Sequence, residues 1–207
     1  MSERFDIYDE ALNYIGVKRR AAVHRDGDWH QVFHCWVIGR EANGAPFVVL
    51  QKRRDYLDYP NKIDISAAGH LLAGETARDG TREIEEELGM RVAFDELIPL
   101  GRRIGIHRSG EFVDCQICHV FLYECDQPLD AYAYQTEEIA GLVRLRIDDG
   151  LRLFAGEVSQ VLAPAVGLGA PQVALSKDDF IPSVDHYVEK VLILAQRYFA
   201  GEQELWI

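Results

Sequence analysis

The sequence is poor in cysteine. It has four cysteines in 207 residues, too few for the disulfide framework of a small secreted protein. Cys115 and Cys118 form a CxxC pair, but no second pair follows to complete the four ligands of a structural zinc site. We therefore predict that 115–118 lies in a buried or half-buried strand, with a zinc site as the less favoured alternative.

Positive charge is also scarce. The chain has 22 Lys and Arg against 34 Asp and Glu, a net charge of −12. Proteins that bind nucleic acid or anionic membranes need clustered Lys and Arg, so neither partner is expected. An anionic substrate is still compatible with this charge if a metal cation lies between it and the protein.

Long apolar runs are absent from the sequence. The longest uncharged stretch, 158–176, is interrupted by prolines, glycines and glutamines, whereas a membrane span needs ~20 mostly apolar residues. The first six residues are too charged for the apolar part of a signal peptide. With 48% apolar residues the chain can bury a substantial core. We expect one domain over 1–207, soluble and cytoplasmic.

The hydrophobic pattern predicts strands on both sides of one central helix, with further helices near the end of the chain. Asp26-Gly27 and Asn43-Gly44 are turn signals between strand-like runs. Strands are expected at 17–24, 30–38, 46–51, 63–67, 98–106, 111–124 and 141–146. Helices are expected at 76–88, 147–155 and 183–200, and a packed loop at 158–176. This order favours an α/β fold, with a mixed sheet between helices.

The central helix carries an unusual acidic face. Glu83, Glu86 and Glu87 are three or four residues apart and share this face, whereas Glu85 points away. Like charges at this spacing cost ~0.2–0.5 kcal/mol per pair, and the last turn of a helix favours cations. A solvated acidic face is one interpretation. The other is a bound Mg²⁺ or Mn²⁺, which would neutralise the carboxylates and bridge to a diphosphate.

The segment 69–90 resembles the Nudix box, in which Gly, Glu, Arg-Glu, Glu-Glu and Gly recur at fixed spacing. The matching residues are Gly69, Glu75, Arg82, Glu83, Ile84, Glu86, Glu87, Gly89 and Met90. The resemblance implies a Nudix-type α/β/α sandwich with a mixed central sheet. It also implies metal binding by Gly69, Glu83, Glu86 and Glu87, with Glu75 and Arg82 orienting loop and helix. In the box, the Glu contacts the Arg and so braces the loop against the helix. Because this chain has one residue fewer between Glu75 and Arg82, the contact between these two side chains is the part of the box that is in question.

Residues 17–110 further resemble the branch of Nudix proteins that includes isopentenyl diphosphate isomerase. The shared residues include Arg19-Arg20, His24, His30, Gln51, Arg53 and 66–70. Where the isomerases have a catalytic cysteine, this chain has Ala68, and a methyl group cannot transfer a proton.

The isomerases also bind a metal through histidines that resemble His24, His30 and His70, together with two acids. The two acids align with Asp114 and Gln116. Because Gln116 is not acidic, one of the two acids is missing in this chain. The three histidines could form a second metal site, contact phosphate, or be hydrogen-bonded residues at a sheet edge.

Several residues outside the acidic face are candidates for substrate contact or proton transfer. Arg53, His70 and Arg103 are expected to bind the diphosphate, although a solvated surface position is the alternative for each arginine. Glu138 is a candidate general base, and Glu83, Glu86 or Glu87 could serve instead.

The sequence predicts a Mg²⁺- or Mn²⁺-dependent hydrolase of a nucleoside-diphosphate-X or similar organic pyrophosphate. The alternatives are an enzyme like isopentenyl diphosphate isomerase and a Nudix module that binds a nucleotide without cleaving it. A homodimer is compatible with the resemblance.

Overall fold

The computed structural model describes residues 3–110 and 112–207. Within them, eleven strands form a mixed sheet and four α-helices pack on it. The strands are β1 Arg4–Tyr8, β2 Tyr14–Arg19, β3 Trp29–Arg40, β4 Pro46–Arg53, β5 Ile63–Asp64, β6 Ala67–His70, β7 Ile98–Ser109, β8 Phe112–Glu124, β9 Ile139–Arg146, β10 Val161–Val166 and β11 Gln172–Leu175. The helices are α1 Arg20–Asp26, α2 Arg82–Leu88, α3 Ile147–Ala155 and α4 Tyr187–Phe199. No helix of these two ranges is long and apolar enough to cross a membrane.

Strand β3 is the centre of the sheet. Along one edge it pairs in turn with β1, β6 and β4, all antiparallel, and along the other edge it pairs with β8 in parallel. From β4 the sheet continues through β9 and β10 to β11, and from β8 it continues to β7. β6 therefore brings Gly69 and His70, at the start of the box, into the middle of the sheet.

The two faces of β3 are covered by different helices, because successive side chains of a strand point to opposite faces. Phe33, Cys35 and Val37 belong to a core with Ile84 and Leu88 of α2. Trp36 and Ile38 belong to a second core, which includes residues of α3 and α4: Leu153, Val191, Leu192 and Ala195. The predicted α/β/α sandwich with a mixed central sheet is confirmed.

The predicted hairpin across Asp26-Gly27 is wrong. β2 ends at Arg19, and 20–26 forms α1, which ends at Gly27 with a φ of 73°. A glycine in the left-handed region is as typical of a helix C-terminus as of a hairpin turn, so the Asp-Gly signal fits both structures. The helical alternative places His24 on α1.

Four other parts of the structure differ from the sequence prediction. The stretch 158–176 is not a loop, since it contains the antiparallel hairpin of β10 and β11. The helix predicted over 76–88 begins only at Arg82, after a 3₁₀ turn at Asp79–Thr81, and Gly89 ends it as expected. The last helix begins at Tyr187 instead of 183, and β1 was not predicted. The strand prediction for 115–118 is confirmed by β8.

Candidate active site

One cavity of about 600 Å³ collects nearly all the residues that the sequence singles out. It lies on the face of the sheet that carries Trp36 and reaches around β6 to the end of α2. Of the predicted site residues, it is lined by Arg53, Gly69, His70, Arg82, Glu83, Glu86, Glu87, Arg103 and Glu138. Glu75 does not line the cavity but contacts Arg82 directly behind it.

The contact between Glu75 and Arg82 is present despite the missing residue. Nε of Arg82 donates to Oε1 of Glu75 and Nη2 donates to Oε2, each at 3.1 Å. Nη2 also donates to the backbone oxygen of His70 at 2.9 Å, and Glu75 accepts a hydrogen bond from the backbone N–H of Leu72. We call this two-pronged contact between Glu75 and Arg82 the fork. It ties the loop after β6 to the first residue of α2.

The 3₁₀ turn at 79–81 explains how the segment between Glu75 and Arg82, one residue shorter than in the box, still brings the two side chains into contact. A 3₁₀ helix rises ~2.0 Å per residue, compared with ~1.5 Å in an α-helix, so fewer residues cover the same length. Gly80 makes the turn possible because a Cβ there would lie 2.7 Å from three atoms of the Phe33 side chain. Gly80 is therefore a packing requirement of the turn.

Glu83 lies against the backbone of Gly69. A Cβ at position 69 would overlap the carboxylate of Glu83, so only glycine allows this approach. Glu83 is buried, and burial raises the pKa of its carboxyl to about 7, although the neighbouring guanidinium of Arg82 opposes the shift. The carboxylate and the Gly69 backbone are therefore close together, as the resemblance implies for two ligands of one metal.

Glu86 and Glu87 occupy different surroundings at the end of α2. The side chain of Glu86 is 57% exposed, and its Oε2 lies 3.3 Å from Nη1 of Arg82. Oε2 of Glu87 accepts hydrogen bonds from the backbone N–H of Ala68 and from Nε2 of Gln51, both at 3.0 Å. Burial raises the pKa of Glu87 well above its usual value. The box carboxylates therefore line one wall of the cavity, with Glu83 and Glu86 both next to Arg82 and Glu87 bonded to Ala68 and Gln51.

A second group of ligand side chains lies in the same cavity region. One ring nitrogen each of His24, His30 and His70 and a carboxylate oxygen of Asp114 are all within 4.8 Å of one another. Oδ1 of Asp114 is 3.1 Å from Nε2 of His30 and 3.6 Å from Nε2 of His24. Among the described residues, this is the one group of three or more potential ligands that meets this distance. We call it the histidine cluster.

The atoms that face one another in the histidine cluster are buried and unpartnered. Nε2 of each histidine and Oδ1 of Asp114 have no hydrogen-bond partner in the described part of the chain. The 3.1 Å contact between Nε2 of His30 and Oδ1 of Asp114 is no exception, because Nδ1 of a neutral His30 carries the ring hydrogen and both facing atoms are acceptors. Buried polar atoms are nearly always hydrogen-bonded, and leaving one unpaired costs ~1–3 kcal/mol. Four such atoms at one point therefore indicate a ligand, and argue against hydrogen-bonded histidines at a sheet edge.

Hydrogen bonds around the histidine cluster orient its ligand atoms. Nδ1 of His30 is 3.0 Å from the backbone oxygen of Asp28; since a carbonyl only accepts, Nδ1 carries the hydrogen and Nε2 is free to bind a metal. Nε2 of Gln116 donates to Oδ2 of Asp114, which leaves Oδ1 free. Burial lowers the pKa of His24 and His70, so both are neutral, as metal ligands must be. The donor set fits a divalent transition metal or zinc.

The two predicted arginines line the cavity, but both are paired with protein groups. Arg53 donates to Oδ2 of Asp64 at 2.9 Å and to the backbone oxygen of Asp58 at 2.7 Å. Arg103 forms a two-pronged contact with Asp185, at 2.7 and 2.9 Å, and stacks over the ring of Tyr187. A direct role in binding substrate thus remains a prediction for both, as does the role of Glu138 as a base.

The sequence analysis did not identify three residues of the cavity. Trp36, His34 and Tyr187 line it and are joined by hydrogen bonds. His34 shares the face of β3 that carries His30, a relation that strand alternation does predict. Tyr187 begins α4, and no local pattern connects it with β3.

Comparisons with known proteins bear on the family of this chain. No protein-family model matches the chain. An uncharacterised Nudix hydrolase of Clostridium acetobutylicum is 37% identical over 200 residues, covering 93% of this chain and 97% of the relative. Nudix hydrolase 3 of Arabidopsis thaliana is 34% identical over 148 residues, covering 68% of this chain and 19% of that protein. An isopentenyl-diphosphate delta-isomerase of Clavibacter michiganensis is 29% identical over 126 residues, covering 60% of this chain and 63% of that enzyme.

Solved structures share the same fold. DR0079 of Deinococcus radiodurans has a TM-score of 0.54 at 21% identity, covering 74% of this chain and 90% of that chain. A MutT/nudix family protein of Enterococcus faecalis has a TM-score of 0.52 at 13% identity, covering 85% of this chain and 64% of that chain. The chain therefore belongs to the Nudix hydrolase family, and it is a pyrophosphohydrolase.

Proposed function

We propose that this enzyme hydrolyses the diphosphate linkage of a nucleoside-diphosphate-X or similar organic pyrophosphate, with Mg²⁺ or Mn²⁺ as the cofactor. The observation that carries the proposal is that the box carboxylates line the same cavity as His70 and Asp114, two members of the histidine cluster. A diphosphate needs positive charge, yet Arg53 and Arg103, the predicted diphosphate ligands, are paired with carboxylates. Metal ions on the acidic wall and in the histidine cluster would supply the missing charge.

Specific residues would hold these ions. Glu83, Glu86, Glu87 and the backbone oxygen of Gly69 offer oxygen ligands, which suit Mg²⁺ or Mn²⁺. The histidine cluster offers nitrogen and one carboxylate oxygen, which suit a transition metal or zinc. When bound, the ions would neutralise charge on the diphosphate and lower the pKa of a water molecule.

The protein's own groups have separate tasks in this proposal. Arg82, fixed by Glu75, keeps the backbone at His70 close to the start of α2. A carboxylate within hydrogen-bond reach of the attacking water accepts its proton, and Glu138 is our first candidate because it lines the cavity outside the box.

Isomerase activity is the disfavoured alternative. Position 68 is alanine, and no cysteine of the described residues lines the cavity. Cys35, the nearest thiol upstream of the box, is fully buried in the core that contains α2, and burial raises its pKa. A thiol-dependent proton transfer therefore has no candidate residue at the site.

A substrate screen tests the proposed function. Nucleotide sugars, dinucleotides, coenzyme A, nucleoside diphosphates and isopentenyl diphosphate would be incubated with Mg²⁺ or Mn²⁺. The reaction would be monitored by measuring phosphate release and by separating the products by chromatography. We expect metal-dependent cleavage of at least one pyrophosphate and no rearranged product. Binding by calorimetry without cleavage would favour a non-catalytic module, and a rearranged product would favour the isomerase.

The fork between Glu75 and Arg82 gives a prediction that tests positioning. Arg82→Lys keeps the charge but loses the two-pronged contact and the hydrogen bond to His70. We expect kcat to fall by about 10²-fold, because small displacements of catalytic groups have effects of that size. Arg91→Lys is the matched control, since the side chain of Arg91 is 87% exposed and contacts Glu85 away from the cavity. Equal kcat values for the two variants would contradict the positioning role.

A further inference from the structure

A hydrogen-bonded trio of His34, Trp36 and Tyr187 lies along the cavity. Nε1 of Trp36 donates to the hydroxyl oxygen of Tyr187 at 3.0 Å. Nδ1 of His34 is also 3.0 Å from this hydroxyl. Trp36 is fully buried, and His34 and Tyr187 are 7% and 6% exposed. The trio joins β3 to the start of α4, so its geometry is set by the packing of the helix on the sheet.

The donors and acceptors of the trio fix the tautomer of His34. An indole N–H only donates, so Trp36 occupies a lone pair of the Tyr187 oxygen. The hydroxyl hydrogen of Tyr187 then needs an acceptor, and within the described ranges its one remaining partner is Nδ1 of His34. A hydrogen on Nδ1 would leave the hydroxyl hydrogen buried and unpaired, at a cost of ~1–3 kcal/mol. Nδ1 is therefore the acceptor.

His34 is neutral in this arrangement. Burial lowers the pKa of His34 to about 3 and raises the pKa of Tyr187 well above its usual value. One ring hydrogen remains, and with Nδ1 accepting it must lie on Nε2. In the described part of the chain the one side-chain hydrogen bond of His34 is made by Nδ1, and His34 lines the cavity. A fixed N–H donor is thus directed at the cavity without a protein acceptor.

His34 lies beside the histidine cluster on the sheet. His34 pairs with Ala68 across β3 and β6, so His70 is its diagonal neighbour on the same face. Diagonal neighbours are ~7–8 Å apart between Cα atoms, and His34 is not part of the group whose ligand atoms lie within 4.8 Å of one another. The distance is short enough for one small anion to contact both the histidine cluster and His34.

We propose that His34 is a substrate-binding residue whose Nε2–H donates a hydrogen bond to a diphosphate oxygen of the substrate. Tyr187 is a positioning residue that keeps His34 in the donor tautomer, with Trp36 holding the Tyr187 hydroxyl in place. This inference deepens the proposed function and rests on it for the identity of the substrate. The donor tautomer itself does not depend on any activity.

Nitrogen NMR of the ¹⁵N-histidine-labelled protein tests the tautomer. We expect the His34 signals, assigned by their loss in His34→Gln, to show an unprotonated Nδ1 and a protonated Nε2 at neutral pH. Tyr187→Phe should remove the preference for this tautomer. A protonated Nδ1 in the wild-type protein would overturn the inference, whether or not a substrate is known.

Inorganic pyrophosphate with Mg²⁺ is the probe for the contact. We expect millimolar pyrophosphate to move the Nε2–H resonance of His34, and to bind His34→Leu at least about 10-fold more weakly than wild type, a typical effect for a hydrogen bond to a charged group. His34→Gln, whose amide N–H₂ can occupy the place of Nε2, should restore most of the affinity. An unmoved His34 resonance, or equal affinities of wild type and His34→Leu, would refute the contact.

Steady-state kinetics with any substrate found in the screen completes the test. We expect His34→Leu to lower kcat/KM by about 10–100-fold, and His34→Gln to recover most of it. If no substrate is found but pyrophosphate moves the His34 resonance, the proposed function fails and the binding role of His34 stands. If Leu and Gln variants both turn over as wild type does, the substrate-binding role is refuted.

Discussion

Glu86→Gln is expected to lower kcat by about 10³-fold while leaving the thermal unfolding temperature of the metal-free protein unchanged. The Glu86 side chain is 57% exposed and its one ion pair, to Arg82 at 3.3 Å, is weak, so it contributes little to stability. An amide is a poor ligand for a hard cation, and charge stabilisation by a metal ion is worth several kcal/mol, or about three factors of ten. Turnover of the substrate found in the screen and a thermal melt of each variant are the measurements.

The matched control is Glu85→Gln, one residue earlier on α2. Glu85 is exposed like Glu86, but it pairs with Arg91 and points away from the cavity. We expect it to keep wild-type turnover. Glu87→Gln is a less clean test because Oε2 of Glu87 accepts two hydrogen bonds that an amide would disturb. Wild-type rates in the double variant of Glu86 and Glu87 would refute catalysis by the box.

Removal of metal is expected to lower the unfolding temperature by about 8–16 °C. A ligand at a thousand times its Kd stabilises a protein by ~4 kcal/mol, and for a chain of this size each kcal/mol shifts the transition by ~2–4 °C. The expected site is the histidine cluster, where four buried atoms lack partners. The experiment compares protein treated with a chelator with protein reloaded with Zn²⁺ or Mn²⁺, and measures bound metal by elemental analysis.

Two variants show which residues bind this metal. A double variant, His24→Gln with Asp114→Asn, should lose both the bound ion and the metal-dependent shift. Cys115→Ser with Cys118→Ser should keep the shift, because the CxxC pair lies in β8, and burial raises the pKa of both thiols. A shift that disappears with the cysteines but survives the loss of His24 and Asp114 would place the metal elsewhere.

The sequence predicts those parts of the site that depend on short-range spacing. Glu83, Glu86 and Glu87 lie within five positions of one helix, so helical geometry alone brings them to one wall of the cavity. The strand alternation of β3 likewise predicts that His30 and His34 share a face. The Glu75–Arg82 contact is implied by the resemblance, but the sequence left it in question because it depends on a 3₁₀ turn that packs on Phe33.

Contacts between distant segments account for the remaining differences. The sequence analysis predicts Arg103 as a diphosphate ligand, with a solvated surface position as the alternative, but its guanidinium pairs with Asp185, 82 positions later. The hydroxyl of Tyr187 is 153 positions from His34. No periodicity or motif links these pairs, because they meet only when α4 docks on the sheet.

The Arg103–Asp185 pair has a consequence for what counts as the catalytic unit. It ties the segment just before α4 to β7, and Ile181, Pro182, Ser183 and Tyr187 of this region form part of the cavity wall. A chain that ends at residue 180 would retain the complete box and the histidine cluster. Without the segment after residue 180, one side of the cavity would be open to bulk water. The smallest fragment able to enclose a substrate therefore extends well beyond the signature sequence, into the last helix.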